Sequence, residues 1–554
     1  MVLATPRISP LSPFRYPLFR GVWAASALSN LGALIQSVGA SWMMIQIAQS
    51  ADMVAFVQAS ATLPIMLLSL VAGAMADNFD RRQVMLAAQL FMLVVSVALA
   101  VCTWLGLVTP WLLLVFTFLI GCGAAFNAPA WQASVGDMVP RAELPGAVAL
   151  NSMGFNIARS VGPAVGGLIV AAAGIAAAFT VNAASYLPLI VVLMRWRPSA
   201  AQQVLPRETL GTAVGAGIRY VSMSPVIRTV LVRGAAFCAG AGAIMALMPL
   251  VAKVLIAGGP VTYGLLLGAF GTGAVAGAVG VSQLRRVMSI EAIVQAAGAT
   301  VACGAAIVGL STHLAITLAA LVLVGAGWVL TLATFNVAVQ MSAPRWVVAR
   351  ALSLYQMAAF GGLAAGSWLW GVVAADAGVK VAMLVAAGVT LACALLGRWL
   401  PLTQAAEINL DPLRHWQEPS TAVPVEPRTG PVVVTIEFII HEEDIVEFLR
   451  AMAERRRIRR RDGARNWRVL RDLADPQIWV ERYETPTWLD YVRLNHRLTQ
   501  DDAIVPERLL ALHRGTGGPR VRRMIERQTS SLPVESGSTV HERVEPLTDP
   551  TRTP

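Results

Sequence analysis

Between Gly21 and Leu400 the chain is a succession of apolar runs, each about twenty residues or longer, broken by short clusters of proline, glycine and charge and by one longer polar stretch around Pro198 to Ser224. A run of roughly 20 apolar residues is what an α-helix needs to cross the hydrocarbon core of a bilayer. A long series of such runs leaves few alternatives, because a water-soluble domain has nowhere to bury that much apolar surface. Only 14% of the 554 residues are charged, against about 25% in soluble proteins. The runs place twelve membrane helices near 21–46, 53–76, 84–107, 111–135, 146–172, 177–196, 228–254, 262–283, 289–311, 314–340, 347–375 and 380–400.

The net charge of +11 resembles a nucleic-acid signal until the charges are mapped. The N-terminus and the even-numbered connections carry Arg7, Arg15, Arg20, Arg81, Arg82, Arg141, Arg195, Arg197, Arg207, Arg219, Arg285, Arg286, Arg345 and Arg350. The odd-numbered connections carry only Lys253 and Lys380. Cytoplasmic loops hold the excess of basic residues, so both termini are expected in the cytoplasm, with an even number of spans between them. The N-terminal segment reads as a tail leading into a retained first helix. Cys102, Cys122, Cys238, Cys303 and Cys393 are scattered singly through apolar runs, which excludes a disulfide framework and CxxC chemistry. Neither lysine follows a glycine, so there is no phosphate-binding loop for ATP. His441, His496 and His513 show no metal-ligand spacing. No metal, cofactor or catalytic residue is expected.

The two halves of the apolar region repeat. GAMADNFDRR from Gly73 finds a counterpart in GAVGVSQLRR from Gly277, so that Arg81 and Arg82 fall on Arg285 and Arg286. GCGAAFNAPAWQASVGDMVPR from Gly121 aligns without gaps to GAGWVLTLATFNVAVQMSAPR from Gly325, which puts Gly162 and Gly167 on Gly366 and Gly371. Every pair is 204 residues apart. Two parallel six-helix halves with a site between them near the midplane are how alternating-access transporters are built.

The segment Gly73-Ala-Met-Ala-Asp77-Asn78-Phe79-Asp80-Arg81-Arg82 resembles the loop motif G-x-x-x-D-R-x-G-R-R of the major facilitator superfamily, and the resemblance extends over about residues 14–400. It implies a twelve-helix major facilitator fold, all-α in the membrane. It also implies a gating latch made by Gly73, Asp77, Arg81 and Arg82, with a plain solvated loop as the alternative. Asn78 and Asp80 depart from the motif. Gly162-Pro163-Ala164-Val165-Gly166-Gly167 resembles the fifth-helix motif of drug exporters, where small residues and a proline make a packing hinge at Gly162, Pro163, Gly166 and Gly167. Ala158 stands where that motif has a glycine.

Arg159 reads as the one strong base within a span and is expected to face a central cavity, since arginine at membrane depth is costly unless paired or hydrated. It is expected to act there as an anchor for an anionic or polar substrate, or as a group responding to proton movement, with an interfacial arginine that snorkels to the cytoplasmic edge as the alternative. Asn151, Asn156, Asn127, Trp131, Gln132, Asn30, Gln36 and Asn336 are the other candidates for a substrate or coupling cavity, with interhelical packing as the alternative for each. No Asp or Glu lies well within helices 1, 4, 7 or 10, so proton coupling is implied by the resemblance alone.

After Pro401 the composition changes. Val432, Val434, Ile436, Phe438 and Ile440 share one face of a strand, and Ile445, Phe448, Leu449 and Met452 one face of a helix. Strands near 467–471 and 478–483, a helix from Thr487 and a strand at 520–525 complete a β-α-β-β-α-β order. This small α+β cytoplasmic domain resembles ferredoxin-like domains of the antibiotic-biosynthesis-monooxygenase type, which imply dimerisation through 431–526. The run Arg455 to Arg461 suits anionic lipid or a solvated face, and nucleic acid is not expected.

The expected domains are a six-helix half (1–197), a central cytoplasmic loop (198–227), a second half (228–400), a linker (401–430), the ferredoxin-like domain (431–526) and a disordered tail (527–554). The chain is expected to be a multi-pass inner-membrane transporter driven by an ion gradient, with protons implied as the coupling ion. It would export small molecules such as drugs or siderophores. The alternatives are uptake on the same fold, and a membrane-tethered enzyme.

Overall fold

Proline opens and glycine closes several of the apolar runs. Pro17, Pro110 and Pro260 stand at the first turn of their helices, where the missing N–H costs nothing. Gly174 and Gly378, at φ +83° and +88°, break helix from helix in a conformation that side chains rarely adopt. These two glycines are also 204 residues apart, so the repeat extends to the turns.

The computed structural model describes residues 12–48, 50–140, 143–196, 210–344, 346–402, 413 and 418–526. The tail expected at 527–554 lies outside them, as do Arg7, Arg141, Arg197, Arg207 and Arg345. The first half holds α1 (Pro17–Ile47), α2 (Ala51–Asn78), α3 (Arg81–Trp104), α4 (Pro110–Met138), α5 (Leu144–Ala173) and α6 (Ile175–Arg195). Within the expected central loop a helix follows, α7 (Leu210–Met223). The second half holds α8 (Pro225–Leu250), α9 (Pro260–Val287), α10 (Ile290–Leu310), α11 (Leu314–Met341), α12 (Val348–Ala377) and α13 (Val379–Leu395). Among the described residues twelve helices are long and apolar enough to cross a membrane, and α7 is not one of them.

Equivalent glycines do equivalent work. Gly121 lets α4 approach the backbone of α2 at Ala61, and Gly325 lets α11 approach that of α9 at Phe270. Gly162 faces Leu31 and Leu34 of α1, while its counterpart Gly366 faces Ala239 of α8. Backbone-to-backbone approach at small residues is how helices gain contact where lipid removes the hydrophobic drive between them.

The chain divides into two compact units. One contains the membrane helices. The other gathers Gly215–Pro225, Met341–Val348 and the chain from Ala405 onward. In that second unit β1 (Val432–Ile439), α14 (Ile445–Asp462), β2 (Arg465–Arg471), β3 (Ile478–Thr485), α15 (Trp488–His496), α16 (Ile504–Leu512) and β4 (Arg520–Ile525) follow in order. All strand pairs are antiparallel and the sheet order is β2-β3-β1-β4. Val432, Val434, Ile436 and Phe438 alternate into a core with Phe448, Met452, Trp488, Tyr491 and Leu509. The sheet is compatible with a small α+β domain; α16 was not foreseen.

Candidate functional site

The two halves meet along two seams. On the first, α5 meets α9: a Cβ at Gly167 would lie 2.5 Å from the Pro260 carbonyl oxygen, and one at Gly264 would lie 2.5 Å from the Pro163 carbonyl oxygen. Further along, a Cβ at Gly271 would lie 2.7 Å from the Arg159 carbonyl oxygen. On the second seam α12 meets α2, where a Cβ at Gly371 would lie 2.6 Å from Ala55 Cβ and 3.1 Å from Asp52 Cα. Gly167 and Gly371 are partners in the sequence repeat, so both seams use the same position of the repeating unit. The expected hinge residues therefore divide their roles. Gly162 and Gly166 pack against α1 within the first half, whereas Pro163 and Gly167 reach the second half.

This division orients α5. Gly154, Gly162 and Gly166 take α1 (with Trp23 against Gly154), and Pro163, Ala164 and Gly167 take α9. Val161 and Leu168 are exposed on a third sector. At about 100° per residue, Arg159 falls on the fourth, between the α1 and α9 contacts and opposite Val161 and Leu168, with Phe155 one turn earlier and turned toward the α1 side. Phe155 is 48% exposed there. The Arg159 guanidinium carbon stands 5.4 Å from the centroid of the Phe270 ring on α9. Asn156 is placed on α5, but its side chain lies outside the described residues.

The latch arginines are engaged inside the first half. Arg81 Nη1 donates to Asp137 Oδ2 and to the Ala133 carbonyl, both at 2.9 Å, tying the start of α3 to the end of α4. Arg82 Nε donates to the Leu193 carbonyl at 2.7 Å and its Nη2 to that of Met194 at 3.0 Å, satisfying carbonyls that the last turn of α6 leaves open. Asp80 accepts from the Arg82 N–H at 2.9 Å, which makes it the N-cap of α3. That gives the departure from glycine in the motif a local role. Gly73 faces Ser353 on α12; the Asp77 side chain lies outside the described residues.

Four of the proposed cavity residues, Gln36, Trp131, Asn151 and Asn127, make hydrogen bonds within the first half. Gln36 is buried, and its amide oxygen accepts from Ser96 Oγ at 3.2 Å and from Asn182 Nδ2, so its place in a cavity is corrected to a core position joining α1, α3 and α6. Trp131 Nε1 donates to Asn151 Oδ1 at 2.9 Å and its ring lies in a core cluster with Val84, Met85 and Ala130. Asn127 accepts from Gln89 Nε2 at 3.1 Å. Asn336 accepts from Gln340 Nε2 at 2.5 Å one turn along α11. Gln132 is exposed and Asn30 part-exposed.

Arg159 is not the one strong base within a span. Arg233 of α8 is 1% exposed and forks onto Glu291 at the start of α10, Nη1 to Oε2 at 2.6 Å and Nη2 to Oε1 at 2.9 Å. It also donates to the Leu400 carbonyl at 3.0 Å, and Glu291 accepts from the Leu402 N–H at 3.0 Å. The pair thus ties α8, α10 and the chain leaving α13 together. Glu291, the one acidic residue of its span, was the available signal.

In the second unit, the arginine run is corrected from a solvated face to a divided one. Glu481 is fully buried on β3; Arg455 Nε donates to it at 2.7 Å and Trp467 Nε1 at 2.8 Å, with Arg459 Nε at 3.7 Å. Burial alone would raise the Glu481 carboxyl, but Arg455 and Arg459 hold it below the usual carboxylate range. Arg461 binds Asp462 and Asp502 at 2.8 to 3.1 Å. Arg456, Arg457 and Arg460 remain exposed. Arg461 also stacks on Tyr220, Tyr220 meets Trp346 edge-on, and Arg497 stacks on Trp346 at 4.3 Å. These cation and ring contacts fasten α14 and the end of α15 to the segments Gly215–Pro225 and Met341–Val348 of the same unit.

Residues 8–531 match the family described as transmembrane secretion effector. The multidrug efflux pump Tap of Mycolicibacterium fortuitum is 25% identical over 410 residues, covering 72% of this chain and 99% of its own. The staphyloferrin A transporter of Staphylococcus aureus is 28% identical over 173 residues, 31% of this chain and 44% of its own. The uncharacterized MFS-type transporter YfiS of Bacillus subtilis is 26% identical over 224 residues, 38% and 52%. The chain thus spans about half the length of YfiS and of the staphyloferrin transporter, and nearly all of Tap. Among solved structures, the occupied inward-facing bacterial homolog of the lysosomal transporter Spinster matches with a TM-score of 0.56 at 13% identity, covering 70% of this chain and 97% of that one. The nucleoside transporter NupG matches at 0.54 and 13%, covering 70% and 100%. These likenesses show the fold.

Proposed function

This chain belongs to the transmembrane secretion effector family of major facilitator transporters, and from that premise we propose that it exports small molecules by rocking its two halves about their shared seams. An ion gradient drives the cycle, with protons exchanged for substrate. Relatives named as efflux pumps favour export over uptake. The observation that carries the reading is the pair of repeat-related seams, Gly167 on α9 and Gly371 on α2. Two close-packed, nearly featureless contacts let rigid halves pivot where interlocked side chains would bind them. The arginine bias of the connections supports cytoplasmic termini. The element order and sheet order support a ferredoxin-like topology for 431–526, with α16 added.

The test uses energised everted membrane vesicles carrying the full chain, offered ethidium, N-phenyl-1-naphthylamine and fluorescein in turn. At least one probe should accumulate inside and leave when an uncoupler collapses the gradient. Gly167→Leu and Gly371→Leu should each abolish accumulation while the protein still inserts. Vesicles that accumulate none of the three, or that accumulate them regardless of the gradient, would refute the proposal.

A further inference from the structure

A guanidinium keeps its proton at every physiological pH, so a charge carried by arginine into a membrane must be met by another charge, by water or by a ring face. Arg233 meets Glu291. Arg159, midway along α5, meets no carboxylate: among the described residues its guanidinium has the Phe270 ring as its contact. No other part of the spans can supply the missing charge. Between residues 12 and 402 the acidic residues are Asp52, Asp77, Asp80, Asp137, Glu143, Glu208, Glu291 and Asp376. Each stands in a connection or within a turn or so of a helix end, whereas Arg159 is roughly 20 Å from either end of its helix at 1.5 Å rise per residue.

The orientation of α5 gives that charge an address. Arg159 lies on the sector between the α1 and α9 contacts, facing away from exposed Val161 and Leu168, with Phe155 one turn below and Phe270 beside it. Its backbone belongs to the seam. Pro163 has no N–H to return to the Arg159 carbonyl, and Gly271 of α9 packs against that carbonyl. A ligand drawn to the Arg159 side chain therefore pulls on a residue that also forms the pivot between the halves.

We propose that Arg159 is the counter-charge for a carboxylate on the transported molecule, whose apolar body lies against the exposed ring of Phe155. The substrate class is an amphipathic organic anion. This rests on the transporter reading and names what it carries. A carboxylate fits the guanidinium fork in bidentate fashion, and the exposed Phe155 ring suits a flat or aliphatic body.

The test compares two fluorescent probes that differ in one charge, dansylglycine and its neutral amide dansylglycinamide, titrated against the purified full chain in nanodiscs. The acid should bind at least tenfold more tightly than the amide. Arg159→Gln should equalise the two, and Arg159→Lys should keep part of the preference, since an ammonium holds the charge without the fork. Phe155→Ala should weaken both probes alike. Equal affinities in the unmodified chain, no binding of the acid, or a preference that survives Arg159→Gln would overturn the assignment. If Arg159→Gln does not fold, the acid against amide comparison in the unmodified chain and in Arg159→Lys decides alone. The vesicle experiment reads the transporter proposal separately. Accumulation there without an acid preference refutes only the anion site, and an acid preference without accumulation refutes only export.

Discussion

Glu291→Gln is the substitution whose cost follows most directly from the geometry. Arg233 is 1% exposed and places both terminal nitrogens on the Glu291 carboxylate. Glutamine keeps the shape, removes the charge, and turns an NH₂ toward one guanidinium nitrogen, so a donor faces a donor. Breaking a buried pair by neutralising one partner costs about 3–5 kcal/mol. The Glu291 side chain is 21% exposed, and the solvent it sees screens part of the loss, which puts the expected cost at the lower end, about 3 kcal/mol. That is a large share of a typical folding free energy of about 5–15 kcal/mol. The double substitution Arg233→Met with Glu291→Leu removes both charges together. It forfeits the hydrogen bonds to the Leu400 carbonyl and from the Leu402 N–H, at about 1 kcal/mol each, and gains apolar contact in return. Thermal unfolding of the full chain in one detergent, followed by tryptophan fluorescence, should rank the unmodified chain first, the double variant next and Glu291→Gln last. A double variant no more stable than Glu291→Gln, or a Glu291→Gln that unfolds with the unmodified chain, would refute the claim that Arg233 is held by that carboxylate.

Three further outcomes are expected. Glu481→Gln should expose the second unit of the full chain to trypsin, because Arg455 and Arg459 would be left buried beside a neutral group at about 3–5 kcal/mol. In the unmodified chain the Glu481 contribution is present at neutral pH and is lost only as the pH falls through a folded value below the usual carboxylate range. Asp462 acts with the opposite sign. Burial, against Arg461, pushes its carboxyl up to about 6 from 3.8, so its contribution is full below 3.8 and is lost as the pH rises through about 6. Protease resistance of the second unit should therefore rise from pH 7.5 to pH 5, and Asp462→Asn should flatten that rise. Arg81→Ala breaks a half-exposed ion pair and should cost at most about 1 kcal/mol in thermal stability, while probe accumulation in everted vesicles falls sharply; unchanged accumulation would remove Arg81 from the gating machinery.

The membrane architecture was legible because a bilayer imposes one requirement on every span and because the chain states it twice. Gly174 and Gly378, or Gly167 and Gly371, can be matched from the letters alone, and each pair does one job in the fold. What the letters hid was partnership across distance. Gln36, Asn127 and Trp131 are polar residues on helices expected to line a cavity, and only the packing of α1 on α6, α4 on α3 and α4 beside α5 reveals Asn182, Gln89 and Asn151 waiting for them. The partner of Arg233 is 58 residues away, beyond the reach of any local pattern. The arginine run was misread for a different reason: Arg455 and Arg459 are one helical turn apart and point inward together, a period available in the sequence but obscured by reading the run as a block. The helix Leu210–Met223 has an amphipathic pattern too short for a span, and it was absorbed into the loop around it.

The claim on which the rest depends is that the halves rock about their seams, and paired distance measurements reach it directly. Phe79 and Val287 are exposed at the ends of α2 and α9, equivalent helices of the two halves, and Leu107 and Leu310 at the ends of α3 and α10 on the other side of the spans. Nitroxides at Phe79→Cys with Val287→Cys, and separately at Leu107→Cys with Leu310→Cys, in a chain whose five cysteines are replaced, would report both ends by pulsed electron resonance. In proteoliposomes frozen with and without an imposed proton gradient, the two distances should change in opposite senses, one end opening as the other closes. Distances that both stay fixed, or that lengthen and shorten together, would contradict a rocking transporter.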